Sequence, residues 1–449
     1  MRDATRITEA DCPGELTPEL AQLDRLVSTD VGLVSRVTRI SAETDGFSIF
    51  SASMGLLEHT QPNIGSSTGR PSGVELGGGG GGTNARLARA VSIAEALERY
   101  SSCVIPTDLT WASANELGDR AIDVASLPQC SAAELAHPAC PARPFDPDER
   151  IRWTTAWSLN RRSPVMVPAV SVWLHIPALT SSELFTMPIS TGCATHTDIY
   201  QALCNAICEV IERDSIALTW LQRLALPRIV FDAPGAELAN ALDAVARNRV
   251  RVTFFDATSE LGIPTLYSVD EAPDDDAVRY LVMCATDLDP ERAAIKMLRE
   301  SASSRIALAT ADAPPDTIDA FTSVFHGATY MSSPERSDAY DFLLRSSGGT
   351  RRMSELGVVG TGDSKADLAL LLDRLDEHGM EAFAVEMTTR EARSVGFRVV
   401  RVIIPQLMPL AFTHRARYLG HPRLYSGPVA QGFPAGDEST INPLPQPFA

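Results

Sequence analysis

Apolar side chains recur every three to four residues over 85–103, where Leu87, Ala90, Val91, Ala94 and Leu97 share a face, and this spacing predicts a long helix. The same reasoning predicts helices over 198–221, 290–309 and 365–378. Shorter β-rich runs lie between them. Residues 151–159 and 165–174 flank Asn160-Arg161-Arg162-Ser163 and predict a hairpin. Further strands are expected over 250–255, 264–269, 279–284, 383–387 and 397–404, and the alternation of Val34, Val37, Ile40, Phe47 and Ile49 adds early strands. Residues 106–150, rich in Pro and Asp, read as a surface excursion. The stretch 331–365, with Ser346-Ser347-Gly348-Gly349, reads as a mobile loop. Strands alternating with long helices give an α/β or α+β fold, with β-sheets packed against the helices.

A chain of 449 residues, 44% hydrophobic and 21% charged, can bury a full core and is not broadly disordered. Asp plus Glu number 57 and Lys plus Arg 39, a net charge of −18. That balance argues against broad binding to nucleic acid or anionic membrane, which needs clustered basic residues. No apolar run reaches the roughly 18 residues of a membrane span, and Met1 to Arg6 lack the apolar core of a signal peptide. A cytoplasmic protein is expected. The eight cysteines contain no Cys-x-x-Cys, and no His pair completes zinc spacing. Cys204 and Cys208, one helical turn apart, read as buried small apolar groups.

Candidate chemistry starts from two matching signatures, Glu95-Ala96-Leu97-Glu98-Arg99 and Glu209-Val210-Ile211-Glu212-Arg213. Each places two carboxylates on one helix face with an Arg beside them. Two such helices side by side could bring four carboxylates to one point, where they would repel unless cations intervene. Mg²⁺ is the natural choice, because it takes oxygen ligands and shares them with substrate phosphates. The alternative is an exposed face of Glu–Arg pairs. Six consecutive glycines, Gly77 to Gly82, precede the first signature. Their N–H groups could cradle phosphate, yet Gly-Lys-Ser/Thr is missing, so this is not a P-loop, and a hinge fits equally well. Lys296 and Glu300 share a face of the 290–309 helix, with Arg305 further along, and could reach a nucleotide; a surface ion pair is the plainer reading. The scattered histidines form no Ser/His/Asp or His-Glu-x-x-His pattern. Pro443, Pro445 and Pro447 alternate at the C-terminus and favour a stiff extended tail that could hold its carboxylate in a fixed place; a frayed end is the alternative.

Taken in order, these features resemble the YcaO family, ATP-dependent enzymes that activate peptide-backbone amides. More narrowly, they resemble its SagD-like cyclodehydratases of azole- and azoline-containing peptides. The glycine run precedes Glu95-x-x-Glu98-Arg99-Tyr100-Ser101. Ser190-Thr191-Gly192-Cys193-Ala194 leads into Glu209-x-x-Glu212-Arg213-Asp214. Phe255-Asp256-Ala257-Thr258 with Leu261-Gly262-Ile263-Pro264-Thr265, the helix carrying Glu300 and Arg305, and Gly396-Phe397-Arg398 through Pro405 follow. Leu419-Gly420, Arg423-Leu424-Tyr425 and the Pro-x-Pro-x-Pro tail complete the set.

The resemblance implies a YcaO-type fold over 61–449, with the tail at 441–449 and residues 1–60 as an N-terminal segment packing on the core, built around a central ATP site. It implies that Glu95, Glu98, Glu209 and Glu212, with Glu300, hold Mg²⁺ ions bridging ATP phosphates. Arg99, Thr197, Gln201, Arg213, Lys296 and Arg305 would contact the nucleotide. Pro445, Pro447 and Ala449 would set the terminal carboxylate near the reacting amide. The implied reaction converts Cys, Ser or Thr of a ribosomal precursor peptide to thiazoline or oxazoline by phosphorylating the backbone amide oxygen. Implied partners are that peptide, an E1-like, leader-binding protein and an FMN-dependent azoline dehydrogenase; a homodimer is compatible. Departures from the pattern are the glycine run without Lys, Val91 for Ser, Thr197 for Asn, Gln201 for Glu, Lys296 for Arg, Ser303 for Gln and Ala449 for Pro. Gln201 removes a potential metal ligand and Lys296 a forked donor. Rival readings are a thioamide- or amidine-forming YcaO enzyme and a non-catalytic scaffold for a precursor peptide.

Overall fold

The computed structural model describes residues 16–40, 46–55 and 76–448. β1 (Arg36–Ile40), β2 (Ser48–Ser53) and β3 (Gly77–Gly82) form a three-stranded antiparallel sheet. A second sheet runs in the order β4 (Thr110–Ala112), β5 (Ile151–Ser158), β13 (Phe383–Glu386), β14 (Arg398–Ile403), β7 (Cys193–His196), with β6 (Ser163–Pro168) paired to β5 as the expected hairpin. The third sheet runs β11 (Tyr280–Thr286), β10 (Thr265–Glu271), β9 (Arg251–Asp256), β8 (Arg228–Val230), β12 (Thr350–Arg352). Only β8–β12 is parallel among the described pairings between these strands, so the α+β description holds over α/β.

Five longer helices fill the spaces between sheets: α1 (Ala85–Cys103), α2 (Ile199–Gln222), α3 (Ala236–Arg247), α4 (Pro290–Ala309) and α5 (Ser364–Glu377). Side chains cap four of them. Asn84 accepts from Leu87 N at 3.0 Å, Asp198 from Tyr200 N at 3.0 Å, Asp289 from Glu291 N at 2.9 Å and Asp363 from Ala366 N at 2.8 Å. Pro290 stands in the first turn of α4, where its missing N–H costs nothing. Buried residues cover α2 except along the stripe Gln201, Asn205, Glu209 and Arg213, as expected of a central helix with one face open to a cleft. It packs on β14 and β7 of one sheet, on β11 of another and on α5.

The glycine run is neither a loop nor a hinge. It is strand β3, pressed between α1 and α4. A Cβ on Gly78 would stand 2.2 Å from Ser92 O and 2.4 Å from Ala96 N, and one on Gly80 would stand 2.0 Å from Ala88 O. On the opposite face, a Cβ on Gly81 would come within 3.2 Å of Arg299 O. The helix presents Ala88, Ser92 and Ala96, small buried residues one turn apart, to the strand. Backbone thus packs on backbone, and side chains are excluded from the contact. The N-terminal strands β1 and β2 complete this sheet.

Residues 331–365, expected to form a mobile loop, supply β12 and bury Tyr340, Leu343 and Met353. Their apolar anchors outweigh the Ser- and Gly-rich composition. The tail is docked along its described length. Asn442 N donates to Leu221 O (2.8 Å), Trp220 Nε1 to Leu444 O (3.3 Å) and Arg417 Nη1 to Asn442 O (2.7 Å). Pro445, Pro447 and Phe448 are buried, and Phe448 pairs with Val282 of β11. Ala449 lies outside the described residues.

Candidate active site

Helices α1, α2 and α4 enclose a cleft of about 830 Å³. Glu95 and Glu98 of α1 and Gln201, Glu209 and Arg213 of α2 line one side; Arg292, Lys296, Arg299 and Glu300 of α4 face them. Thr361, Gly362 and Asp367, at the start of α5, close the far end.

The four paired carboxylates reach this region, but they do not meet at one point. Glu95 accepts from Arg99 Nη2 at 2.5 Å and from Gly79 N of the glycine strand at 2.7 Å. Glu209 accepts from Arg213 Nη2 at 3.2 Å and from Gly192 N at 3.0 Å. Glu212 turns beneath the cleft and is 1% exposed. It is held by Lys296 Nζ at 2.9 Å, Thr286 N at 3.1 Å and Arg213 Nη1 at 3.2 Å. Like charges on neighbouring turns repel, and the chain's own cations draw them apart. Glu98 is the exception: among the described residues it has no ion-pair partner. Burial, with the carboxylates of Glu209 and Glu95, holds its pKa well above the ordinary range. Glu209 is raised as well, by burial that Arg213 only partly offsets. Burial works against the Lys296 charge, yet Glu212 and Glu300 outweigh it and raise the ammonium pKa.

The remaining sequence candidates divide. Gln201 lines the cleft and donates to Asn205 Oδ1 at 2.8 Å, and Glu300 lies 3.6 Å from Arg299. Arg99 stays largely exposed beside Glu95. Thr197 sits between β7 and the Asp198 cap and is not part of the cleft lining. Arg305 is on the opposite face of α4, donating to Val278 O at 2.5 Å with Asp275 at 3.7 Å, and lines a separate cavity. Arg292 and Arg299 were missed by sequence reasoning, although helical spacing from Lys296 puts both on its side of α4. Cys204 and Cys208 border the cleft as buried thiols, and burial pushes Cys204 up to about 12, so it stays protonated at neutral pH.

Among the described residues no three His, Cys, Asp or Glu side chains already stand together as a metal cage. Mg²⁺ does not require one, since it uses one or two carboxylates and completes its shell with phosphate and water oxygens. Glu98, half-buried with surplus negative charge around it, is suited to one such ion, with Glu95 and Glu209 in the same cleft.

An acidic floor facing a basic wall, between helices and antiparallel sheets, defines a site for a polyphosphate with its divalent cation. The family model described as YcaO cyclodehydratase, ATP- and Mg²⁺-binding, matches residues 79–408. The chain belongs to the YcaO family, and its cofactors are ATP and Mg²⁺. An uncharacterised protein of Methanothermobacter thermautotrophicus is 29% identical over 384 residues, covering 83% of this chain and 89% of that protein. A heterocyclase solved in complex with substrate and cofactor superposes with a TM-score of 0.78 at 22% identity, over 96% of this chain. The match spans only 57% of that heterocyclase chain. The YcaO protein of Methanopyrus kandleri, bound with AMPPCP and Mg²⁺, gives a TM-score of 0.61 at 20% identity over 87% of this chain and 90% of that one. Likeness at these identities establishes the fold. Among the described residues no helix is long and apolar enough to cross a membrane.

Proposed function

We propose that this chain is an ATP-dependent peptide cyclodehydratase, converting Cys, Ser or Thr of a ribosomal precursor peptide to thiazoline or oxazoline. The observation that carries the proposal is Glu98, without an ion pair among the described residues and beside Glu95 and Glu209, in a cleft that Lys296 and Arg299 also line. A substrate thiol or hydroxyl adds to the preceding backbone carbonyl, leaving an oxyanion. The co-substrate ATP supplies the phosphoryl group that makes this oxygen a leaving group, with Mg²⁺ offsetting the phosphate charge. Departure of phosphate and loss of the amide proton close the C=N bond.

In this reading Glu98, with Glu95 or Glu209, holds the cation. Lys296, Arg299 and Arg213 face the phosphate oxygens, where preorganised donors lower the barrier to transfer. Glu212 acts through others: it fixes Lys296 and Arg213 from below. Gln201, neutral where an acid is expected, hydrogen-bonds rather than ligates. Arg305, on the opposite face of α4, would not contact the nucleotide, and Thr197 lies outside the cleft lining. A leader-binding partner protein would present the peptide, and an FMN-dependent dehydrogenase could oxidise the product.

Intact-mass analysis of a Cys/Ser/Thr-rich precursor incubated with ATP, Mg²⁺ and the chain, with and without such a partner, tests the proposal. A loss of about 18 Da per ring is expected, and Glu98→Gln should abolish it. A gain of about 16 Da would assign thioamide formation instead. ATP binding without any peptide-dependent ADP release would favour the scaffold reading.

A further inference from the structure

The docked tail ends its described course behind the cleft, not in solvent. Phe448 is 5% exposed and pairs with Val282, on the same strand β11 whose Thr286 N–H holds Glu212. The Arg213 guanidinium carbon lies 4.6 Å from the centre of the Phe448 ring. Arg213 therefore has carboxylates at its edges, Glu209 and Glu212 each at 3.2 Å, and an aromatic ring against its face. Its Nη1 is buried against Glu212 without an aligned hydrogen bond. This guanidinium is held in place on three sides, and Arg213 lines the cleft.

We propose that Phe448 is a positioning residue for Arg213, and that it couples docking of the C-terminal tail to nucleotide binding. The inference rests on reading the cleft as the ATP site. A flat ring against the guanidinium fixes its plane, and the ring quadrupole stabilises the cation where little water reaches it. With the plane fixed, the guanidinium charge stays at the cleft wall, where it can offset phosphate charge. Without the ring, the guanidinium loses the contact on its face and can turn about its Glu209 and Glu212 pairs, away from the cleft. Filling the space is a different role, which an aliphatic side chain would also perform. The two roles can therefore be separated by chemistry at constant burial.

The experiment uses the full chain and measures binding of Mg²⁺–AMPPCP by calorimetry, with KM for ATP and kcat in parallel. Phe448→Leu keeps an apolar side chain but removes the ring face; Phe448→Tyr keeps the face. Phe448→Leu should weaken nucleotide binding about tenfold and raise KM more than it lowers kcat, and Phe448→Tyr should recover binding to within about twofold. In an Arg213→Met background the Leu substitution should have no further effect. Leu and Tyr variants that both bind like wild type would overturn the inference while leaving the ATP site standing. So would a loss of equal size in the Arg213→Met background, which would mark a packing role. Failure of the wild-type chain itself to bind Mg²⁺–AMPPCP would overturn the ATP site and the coupling together.

Discussion

Replacing Gly80 with Ala tests whether the glycine strand is clamped between helices. The new Cβ would meet Ala88 O at 2.0 Å, Ser92 N at 2.6 Å and Ala88 C at 3.1 Å, all backbone atoms of α1. Ordinary contact begins near 3.5 Å, so helix and strand must separate by roughly 1.5 Å at this point. Overpacking against side chains that can rotate costs about 1–3 kcal/mol. A helix backbone has no rotamer to yield, which places Gly80→Ala at about 3 kcal/mol; the lower chain entropy of Ala returns less than ~1 kcal/mol of that. Gly79→Ala is the internal control. Its Cβ points to the other face, and the nearest atom, Glu95 Oε2, lies at 3.7 Å. That variant should be neutral to within about 0.5 kcal/mol. Urea unfolding followed by circular dichroism gives both values, and Mg²⁺–nucleotide binding should fall only in the Gly80 variant, because α1 carries Glu95 and Glu98. Equal midpoints for the two variants would refute the clamp, since a loop or hinge treats neighbouring glycines alike.

Lys296→Met removes the main partner of Glu212. Breaking a buried pair costs about 3–5 kcal/mol, but Arg213 and the Thr286 N–H remain beside Glu212, so a loss of about 2 kcal/mol in urea unfolding is expected; no loss would show that the pair is not structural. Glu98 sets a pH dependence. Its raised pKa means that the folded chain keeps a proton the unfolded chain releases, so in metal-free protein this group's contribution to stability falls as pH rises from the ordinary carboxylate range through the raised value. Glu98→Gln should remove that slope in thermal unfolding, and an unchanged slope would contradict the assignment. Mg²⁺ competes with the same proton, so Mg²⁺–nucleotide affinity should strengthen with pH over that window, and a flat affinity profile in calorimetry would count against Glu98 as a ligand.

Much of this architecture is legible because its signals are local. Helices α1 and α4 begin and end at the residues where periodicity and caps place them, with Asn84 before one and Asp289-Pro290 opening the other. What was missed depends on tertiary contacts. Glycine runs usually mark loops because glycine alone loses entropy without packing a side chain. Here the missing side chains let α1 approach, and the matching signal, Ala88, Ser92 and Ala96 one turn apart, becomes meaningful only once strand and helix are paired. Strands β7 and β8 are four and three residues long, too short to show a period. Helix α3 was overlooked although Leu238, Ala241 and Ala244 mark its buried face.

The candidate site shows the same division. Paired Glu residues and Lys296 could be found by spacing, and they do line or underlie one cleft. That Glu212 binds Lys296 rather than facing the cleft with Glu98 depends on where β11 places the Thr286 N–H, which no helical repeat reports. Arg305 was grouped with Lys296 because both are on α4, but nine positions turn it to the opposite face. Phe448 carried no signal beyond its place after the last proline.

The central claim is that α1 and α2 supply the carboxylates that hold divalent cation under a triphosphate. A crystal structure with AMPPCP and Mn²⁺ in place of Mg²⁺, with the metal located by anomalous scattering, tests it most directly. The account predicts a metal peak bonded to Glu98 and to Glu95 or Glu209, with phosphate oxygens facing Lys296 and Arg213. Metal held without any of these glutamates, or nucleotide outside the cleft, would contradict it.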